Sequence, residues 1–507
     1  MRYLAGFDIN RRQRVISSTD KLKEMMGGSW SIAETVRLAE EFRGRYNGKI
    51  EIQSPVSGEL RFTSDDLDAL GAFLWDLREY FVEKLDFPCV FAVVDGSEEE
   101  LKRQVAAEKA ARAGEVAPPA LPWFAPCQIQ PDRFATRWLP ALAKDPQNRR
   151  RALMNHGSVA RLERGDKTLK EYLDSFESLR GYGFERPYEF SDFTVGNDGS
   201  YLALIRLDVD EATRFFGGVE LGQLRKYSES LDDCLKTSLR KAVDAAIREC
   251  YDKSRPAPKT PFPVSPLIAE GDDFLILSRR DFALGLFLKL QDSFSAEVRE
   301  SEILTERIAT TGARLTLSGS ILYARAAFPY SVMSQMSDSL ERSAKDHRRE
   351  MDLGEGCLDL HWLESTARED VIETRNRELK FRHGGVTFRL FTRPWSSSQA
   401  KAMLEASALV AAIPRGKWHQ LFEALRLGDA YSRFAYRDWL LHLGEHRKPF
   451  EAATKSLRSV DLWPSGADAE PWRTDWSTPL TELYLISEAS RVARWRESPN
   501  SVEVVRP

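Results

Sequence analysis

Tyr201-Leu202-Ala203-Leu204-Ile205-Arg206-Leu207-Asp208-Val209-Asp210 decides how this chain is read, together with Leu267-Ile268-Ala269-Glu270-Gly271-Asp272-Asp273-Phe274-Leu275-Ile276-Leu277 about sixty residues later. The first run is an apolar strand ending on carboxylates. The second reads as a hairpin with Glu-Gly-Asp-Asp at its tip. Between them Leu224, Tyr227, Leu231, Leu235, Leu239, Val243 and Ile247 recur every three or four residues, the period of one face of a long helix. A helix over about 280–297, a strand over 314–324 and a helix ending near Lys345 complete a β-α-β-β-α-β order. In that plan the first strand lies beside the hairpin, so Asp208 meets Asp272 and Asp273 at one end of a sheet.

The same order can be read from residue 1 to about 96. A strand ends at Asp8, and a helix-like stretch covers 20–43. β-like runs at 49–53 and 59–62 flank a Ser-Pro-Val-Ser-Gly turn. A helix over 64–84 carries Leu67, Leu70, Phe73, Leu74 and Phe81, and Cys89 to Val94 reads as a buried strand. The expected fold class is α+β: two ferredoxin-like palm domains, over 1–96 and 196–384, joined by a helical connector over 97–195 and followed by a helical C-terminal domain over 385–507. The last segment holds Trp395, Trp418, Trp439, Trp463, Trp472, Trp476 and Trp495. Clustered tryptophans serve either as a stacking platform for bases or as core and interface.

Composition narrows the function classes. A hydrophobic fraction of 42% over 507 residues supplies several cores and excludes a mostly disordered chain. With 73 basic against 77 acidic residues the net charge is −4, so nucleic-acid contact is confined to a local groove or comes through partners. Apolar stretches fall far short of the roughly 20 residues of a membrane span, and the chain reads as cytoplasmic with no membrane partner. Five scattered cysteines and seven histidines have no zinc spacing.

Hard carboxylate oxygens at Asp208, Asp272 and Asp273 suit Mg²⁺ or Mn²⁺ together with substrate phosphates, as a two-metal site for nucleotidyl transfer requires. Gly271 fits a tight turn and close phosphate approach. Gly-Asp-Asp is also an ordinary turn composition. Two acidic clusters at matching places of one fold unit argue for a metal-nucleotide site, since unscreened carboxylates repel.

At these residues the second unit resembles the cyclase palm of the large subunit of type III CRISPR effector complexes. Leu207-Asp208-Val209-Asp210 matches that family's strand ending in Asp-x-Asp, and Glu270-Gly271-Asp272-Asp273 its Gly-Gly-Asp-Asp hairpin. Gly6-Phe7-Asp8-Ile9-Asn10 and Leu22-Lys23-Glu24-Met25-Met26-Gly27-Gly28-Ser29 are similar to its first palm, where a small-residue turn contacts nucleotide phosphate. Ser343-Ala344-Lys345 resembles its Ala-Lys after the last palm helix, and Phe391-Thr392-Arg393-Pro394-Trp395 the start of its C-terminal domain.

The resemblance implies conversion of ATP to cyclic oligoadenylate, with guide RNA, target RNA and other effector subunits as partners. It implies Asp208, Asp272 and Asp273 as catalytic metal ligands, with Asp210 as an auxiliary ligand or a support for the others. Gly27, Gly28, Ser29 and Gly271 would seat nucleotide, and Lys345 would neutralise triphosphate. The chain departs from the family in three ways. It starts directly at the first palm, so no HD-type DNA cleavage is expected; only Cys127 stands where a four-cysteine zinc site would be; and Glu270 replaces the hairpin's first Gly. Two alternatives therefore stand beside the cyclase: a catalytically inactive palm-fold scaffold subunit, and a stand-alone GGDEF-like nucleotide cyclase.

Overall fold

A computed structural model of the chain describes residues 2–9, 19, 22–56, 59–85, 87–111, 137–140, 151–154, 156–176, 181–194, 201–251, 256, 260–270, 273–363, 370–464 and 470–495. The first unit runs β1 (Tyr3–Ile9), α1 (Leu22–Ala33), α2 (Thr35–Arg43), β2 (Glu51–Val56), β3 (Glu59–Ser64), α3 (Leu67–Leu85) and β4 (Cys89–Val94). Its antiparallel sheet has the order β2-β3-β1-β4, the ferredoxin-like arrangement. Alternation along β1 assigns the two faces. Ala5, Phe7 and Ile9 join Leu60, Phe62 and the Leu70, Phe73, Leu74 and Phe81 stripe of α3. Leu4 turns the other way, to Leu101 and Val105 of α4 (Glu98–Ala111).

The segment expected to be a helical connector also contains a short antiparallel ribbon, β5 (Arg137–Pro140) with β6 (Arg151–Met154), ahead of α5 (His156–Asp174). Helix α5 lies against α1 at backbone contact. A Cβ on Gly27 would sit 1.7 Å from the Arg161 carbonyl oxygen, and one on Gly165 would sit 1.8 Å from that of Lys23. Only bare Cα atoms permit this crossing, and Arg161 donates to Glu24 beside it at 2.9 Å, both side chains buried.

The second unit runs β7 (Tyr201–Val209), α6 (Ala212–Phe216), α7 (Leu221–Tyr251), β8 (Val264–Glu270), β9 (Asp273–Arg279), α8 (Arg280–Glu300), α9 (Glu302–Thr311), β10 (Leu317–Arg325), α10 (Tyr330–Glu350) and β11 (Cys357–Trp362). It continues through α11 (Val371–Leu379), β12 (Lys380–His383), β13 (Val386–Arg389) and β14 (Trp395–Ser396). The sheet order is β14-β11-β10-β7-β9-β8, so β8-β9-β7-β10 repeats the order of the first sheet. Two further strands extend it, β11 parallel to β10 and β14 antiparallel to β11. Helices α12 (Ser397–Val410), α13 (Arg415–Leu425), α14 (Asp429–Leu441), α15 (Arg447–Ser459) and α16 (Leu480–Trp495) follow. Among the described residues no helix is long and apolar enough to cross a membrane.

Beside the small Leu4–Leu101–Val105 cluster, two larger cores are described, and each spans more than one unit. Ala203, Ile205 and Leu207 of β7 face α7, α8 and the C-terminal helices. Leu202 and Leu204 face the opposite way, toward α10 and the inner side of the first sheet. Trp395, Trp418, Trp439, Trp463 and Trp472 are all buried, so these five are core and not an open stacking platform. Trp476 is half-buried against Phe388.

Replacing Gly27 by Val forces α1 and α5 apart, and is expected to lower the unfolding free energy by about 1–3 kcal/mol. Denaturant titration of wild type and Gly27→Val measures it, and unchanged stability would show that the helices do not touch there.

Candidate active site

The registers of β7 and β9 bring the two acidic motifs together. In the antiparallel ladder Asp208 and Asp273 are direct Cα partners, as are Leu204 and Leu277 further along. Directly opposed residues project from the same face, with Cβ atoms about 5 Å apart. Leu204, Leu275 and Leu277 line the face toward the first unit, so by alternation Arg206, Asp208 and Asp273 share it. On the β8 side the ladder ends with Glu270 opposite Asp273, which places the residue standing for the family's first Gly at the hairpin's closing pair. Gly271 and Asp272 lie outside the described residues. Among the described residues no group of three or more His, Cys, Asp or Glu is placed to hold a metal ion. The donor set that can be described is the carboxylate pair Asp208 and Asp273.

Helix α10 covers this face, with Met333, Met336 and Leu340 in the core and a charged row next to them. Arg206 Nε donates to Glu341 Oε2 at 2.6 Å. The Lys345 ammonium is ion-paired with Asp208, and lies 3.1 Å from Glu341. Arg348 Nε is 3.4 Å from Asp210 Oδ2. The strand presents plus, minus, minus at 206, 208 and 210, and the helix answers with minus, plus, plus at 341, 345 and 348. The spacings permit it: two strand residues advance about 6.6 Å, while four and three helical residues rise about 6 and 4.5 Å. An ammonium against Asp208 is itself a sign that the place suits a cation.

Asp210 is bound differently from Asp208. Its Oδ2 accepts from Thr316 Oγ1 at 2.6 Å and Ser318 Oγ at 2.7 Å, and its backbone N–H donates to the Thr316 carbonyl at 2.8 Å. Burial pushes its carboxyl above the usual range, with Thr316, Arg348 and Ser318 pulling the other way. The structure thus makes Asp210 an anchor between β7, β10 and α10, with Oδ2 committed to internal donors. Burial also raises Glu341 to about 7 against the opposing pull of Arg206. Lys345 is lowered to about 8, by burial first and then by Arg349 and Arg206.

The exposed small-residue turn expected at Gly27, Gly28 and Ser29 is absent. All three lie inside α1, where backbone N–H groups belong to the helical ladder. Gly27 and Gly28 are buried and Ser29 is half-buried. The glycine signal read as a phosphate seat is, at Gly27, the condition for close packing on α5. Helix α1 still reaches the second sheet, where Ser265 of β8 donates to Met26 Sδ at 3.6 Å. Arg206, Glu341 and Arg348 were not singled out from sequence, although opposite charges at strand spacing 206/208/210 and helix spacing 341/345/348 would have marked them.

A sequence profile of the second palm domain of Cas10/Cmr2 matches residues 201–352, the segment that contains β7 through α10. Over those residues the chain is similar to that domain. The chain is also similar to solved structures. Csm1 of T. onnurineus superposes with a TM-score of 0.52 at 15% identity, covering 97% of this chain and 70% of that one. A Csm1–Csm4 cassette in complex with cA4 gives 0.51 at 14%, over 97% and 70%, and one in complex with pppApApA gives 0.50 at 13%, over 97% and 69%. At such identities the likeness establishes the fold. No curated protein matches the sequence.

Asp210→Asn removes the charge from two hydroxyl hydrogen bonds and leaves the Arg348 guanidinium short of a partner. The expected cost is about 1–3 kcal/mol of unfolding free energy, read by denaturant titration; no loss would mean Asp210 anchors nothing. A second expectation concerns pH. With Glu341 raised from 4.5 to about 7, the folded chain keeps a proton that the unfolded chain releases, so its contribution to stability is present below 4.5 and is lost as pH rises through about 7. Melting temperatures of wild type should fall relative to Glu341→Gln across that window, and parallel profiles would refute the assignment.

Proposed function

We propose that this chain is the large subunit of a type III CRISPR effector complex, and that its second palm joins ATP into cyclic oligoadenylate. The observation that carries the reading is the register that sets Asp208 opposite Asp273 on the face covered by α10. Those two carboxylates, with Asp272 next to them in sequence, would hold Mg²⁺ or Mn²⁺. When bound, the metal supplies charge neutralisation at the α-phosphate and activation of the attacking 3′-hydroxyl. The chain's own residues do the positioning. Lys345 stands where its ammonium can turn to the triphosphate, and Arg206 holds Glu341 against it. Transfer of this kind needs placement and charge stabilisation more than a strong base, and none is required at this site.

Of the predicted phosphate seat, Ser29 is the more accessible part, and its contact with a second nucleotide belongs to the proposal, as does Gly271 at the hairpin tip. Guide RNA, target RNA and further effector subunits are the proposed partners. The Csm1–Csm4 cassettes support a partner subunit, and those in complex with cA4 and pppApApA support an oligoadenylate product. A scaffold without synthesis is the second reading, and the observation favouring it is Glu270 at the hairpin's closing pair, where the family has Gly.

The purified complex, incubated with target RNA, ATP and Mn²⁺ and analysed by mass spectrometry, is expected to yield oligoadenylates. Asp208→Ala, or Asp272→Ala with Asp273→Ala, should lower the yield at least a hundredfold. Normal yield from either variant overturns the site assignment. ATP binding without product from wild type selects the scaffold.

A further inference from the structure

The middle rung of the strand–helix row differs from the two beside it. Arg206 reaches both Glu341 and Asp338, and Arg348 reaches both Asp210 and Glu211, so each arginine is held by two carboxylates. Their side chains are 6% and 5% exposed, whereas Lys345 and Asp208 are each 16% exposed. The middle rung is also the one made by lysine. A lysine ammonium is a point charge on a flexible stem, without the planar fork that fixes an arginine to its carboxylate. Glu341, one helical turn back, offers that ammonium a second carboxylate 3.1 Å away. Glu341 is itself fixed by Arg206 at 2.6 Å.

Electrostatics gives this arrangement a use. Asp208 and Asp273 oppose one another across the ladder, and like charges so placed repel unless a cation stands near them. The Lys345 ammonium on Asp208 supplies that charge from within the fold. A divalent cation would supply it better, but it cannot share the same carboxylate oxygen with an ammonium without like-charge repulsion. Resting on the reading of Asp208 as a cation ligand, we infer that Lys345 is an exchangeable counter-ion: it neutralises Asp208 when no divalent cation is bound, and it swings onto Glu341 when one is. Arg206 and Glu341 are then positioning residues, with Glu341 the receiving carboxylate and Arg206 the group that keeps it in place. Cation binding and release of the lysine from Asp208 become one event.

Mn²⁺ binding to the full chain without nucleotide, followed by the loss of the free-ion EPR signal, tests this apart from activity. Removing the competing ammonium in Lys345→Met is expected to tighten Mn²⁺ about fivefold, the upper end of what a single exposed ion pair contributes; Lys345→Gln should do the same and guards against a folding defect in either variant. Glu341→Gln removes the receiving carboxylate and should weaken Mn²⁺ about threefold, an effect that vanishes in the Lys345→Met background. If Asp208→Asn abolishes binding while both Lys345 variants bind no more tightly than wild type, the exchange is wrong and the cation site stands. If Asp208→Asn leaves binding unchanged, the cation reading itself fails. A threefold loss from Glu341→Gln that persists without Lys345 removes Glu341 from the exchange.

Discussion

Two carboxylates directly opposed on neighbouring antiparallel strands are an electrostatic liability, and the second half of this molecule is arranged around that fact. Asp208 and Asp273 are paired by register, so their separation cannot relax without breaking the ladder of β7 and β9. Compensation has to come from a third element on the same face. Helix α10 provides it, and packing through Met333, Met336 and Leu340 fixes the azimuth at which Glu341, Lys345 and Arg348 meet the strand. The apolar and charged rows of one helix are thus a single device: the first sets the rotation, and the second uses it.

The same face of the second sheet is also a contact surface with the first unit. Leu202, Leu204, Leu275 and Leu277 share a core with Phe7, Phe62 and Phe73 of the first sheet and its helix α3. Helix α1 is clamped between this core and α5 by the Gly27 and Gly165 approach and the buried Glu24–Arg161 pair. The first unit therefore backs this face of the second sheet through a shared core.

On the opposite face, the Trp-rich C-terminal helices continue the core of the second palm. Their tryptophans pack with one another and with Phe450, as in the Trp439–Phe450 edge contact at 5.0 Å. Near this junction lies a buried set of charges. Arg393 is ion-paired to Glu482 at 3.5 Å and lies 3.4 Å from the ring of His361. His361 is held well below its ordinary value by burial, and then by Arg393 and Arg375. Such a set ties β11, α16 and the segment before β14 into one unit, and its geometry is too dependent on distant residues to be read from any local stretch.

Sequence by itself determined the elements and much of their order. The apolar run along 201–207, the three-to-four spacing along α7 and the turn residues at the hairpin are local signals, and local backbone preferences act on them directly. The match of both units to one β-α-β-β-α-β plan followed, and with it the adjacency of Asp208 to the hairpin. What only the tertiary structure decided was which of several chemically similar residues face the cleft. Asp210 resembles Asp208 in sequence, yet Thr316 and Ser318 claim it. Gly27 and Gly28 look like a phosphate loop, yet one of them is the contact point of two helices. Arg206, Glu341 and Arg348 acquire their roles only when a strand step of two and a helix step of three or four run side by side. These distinctions depend on partners more than a hundred residues away along the chain, and long-range proximity is set by packing, which no local pattern encodes.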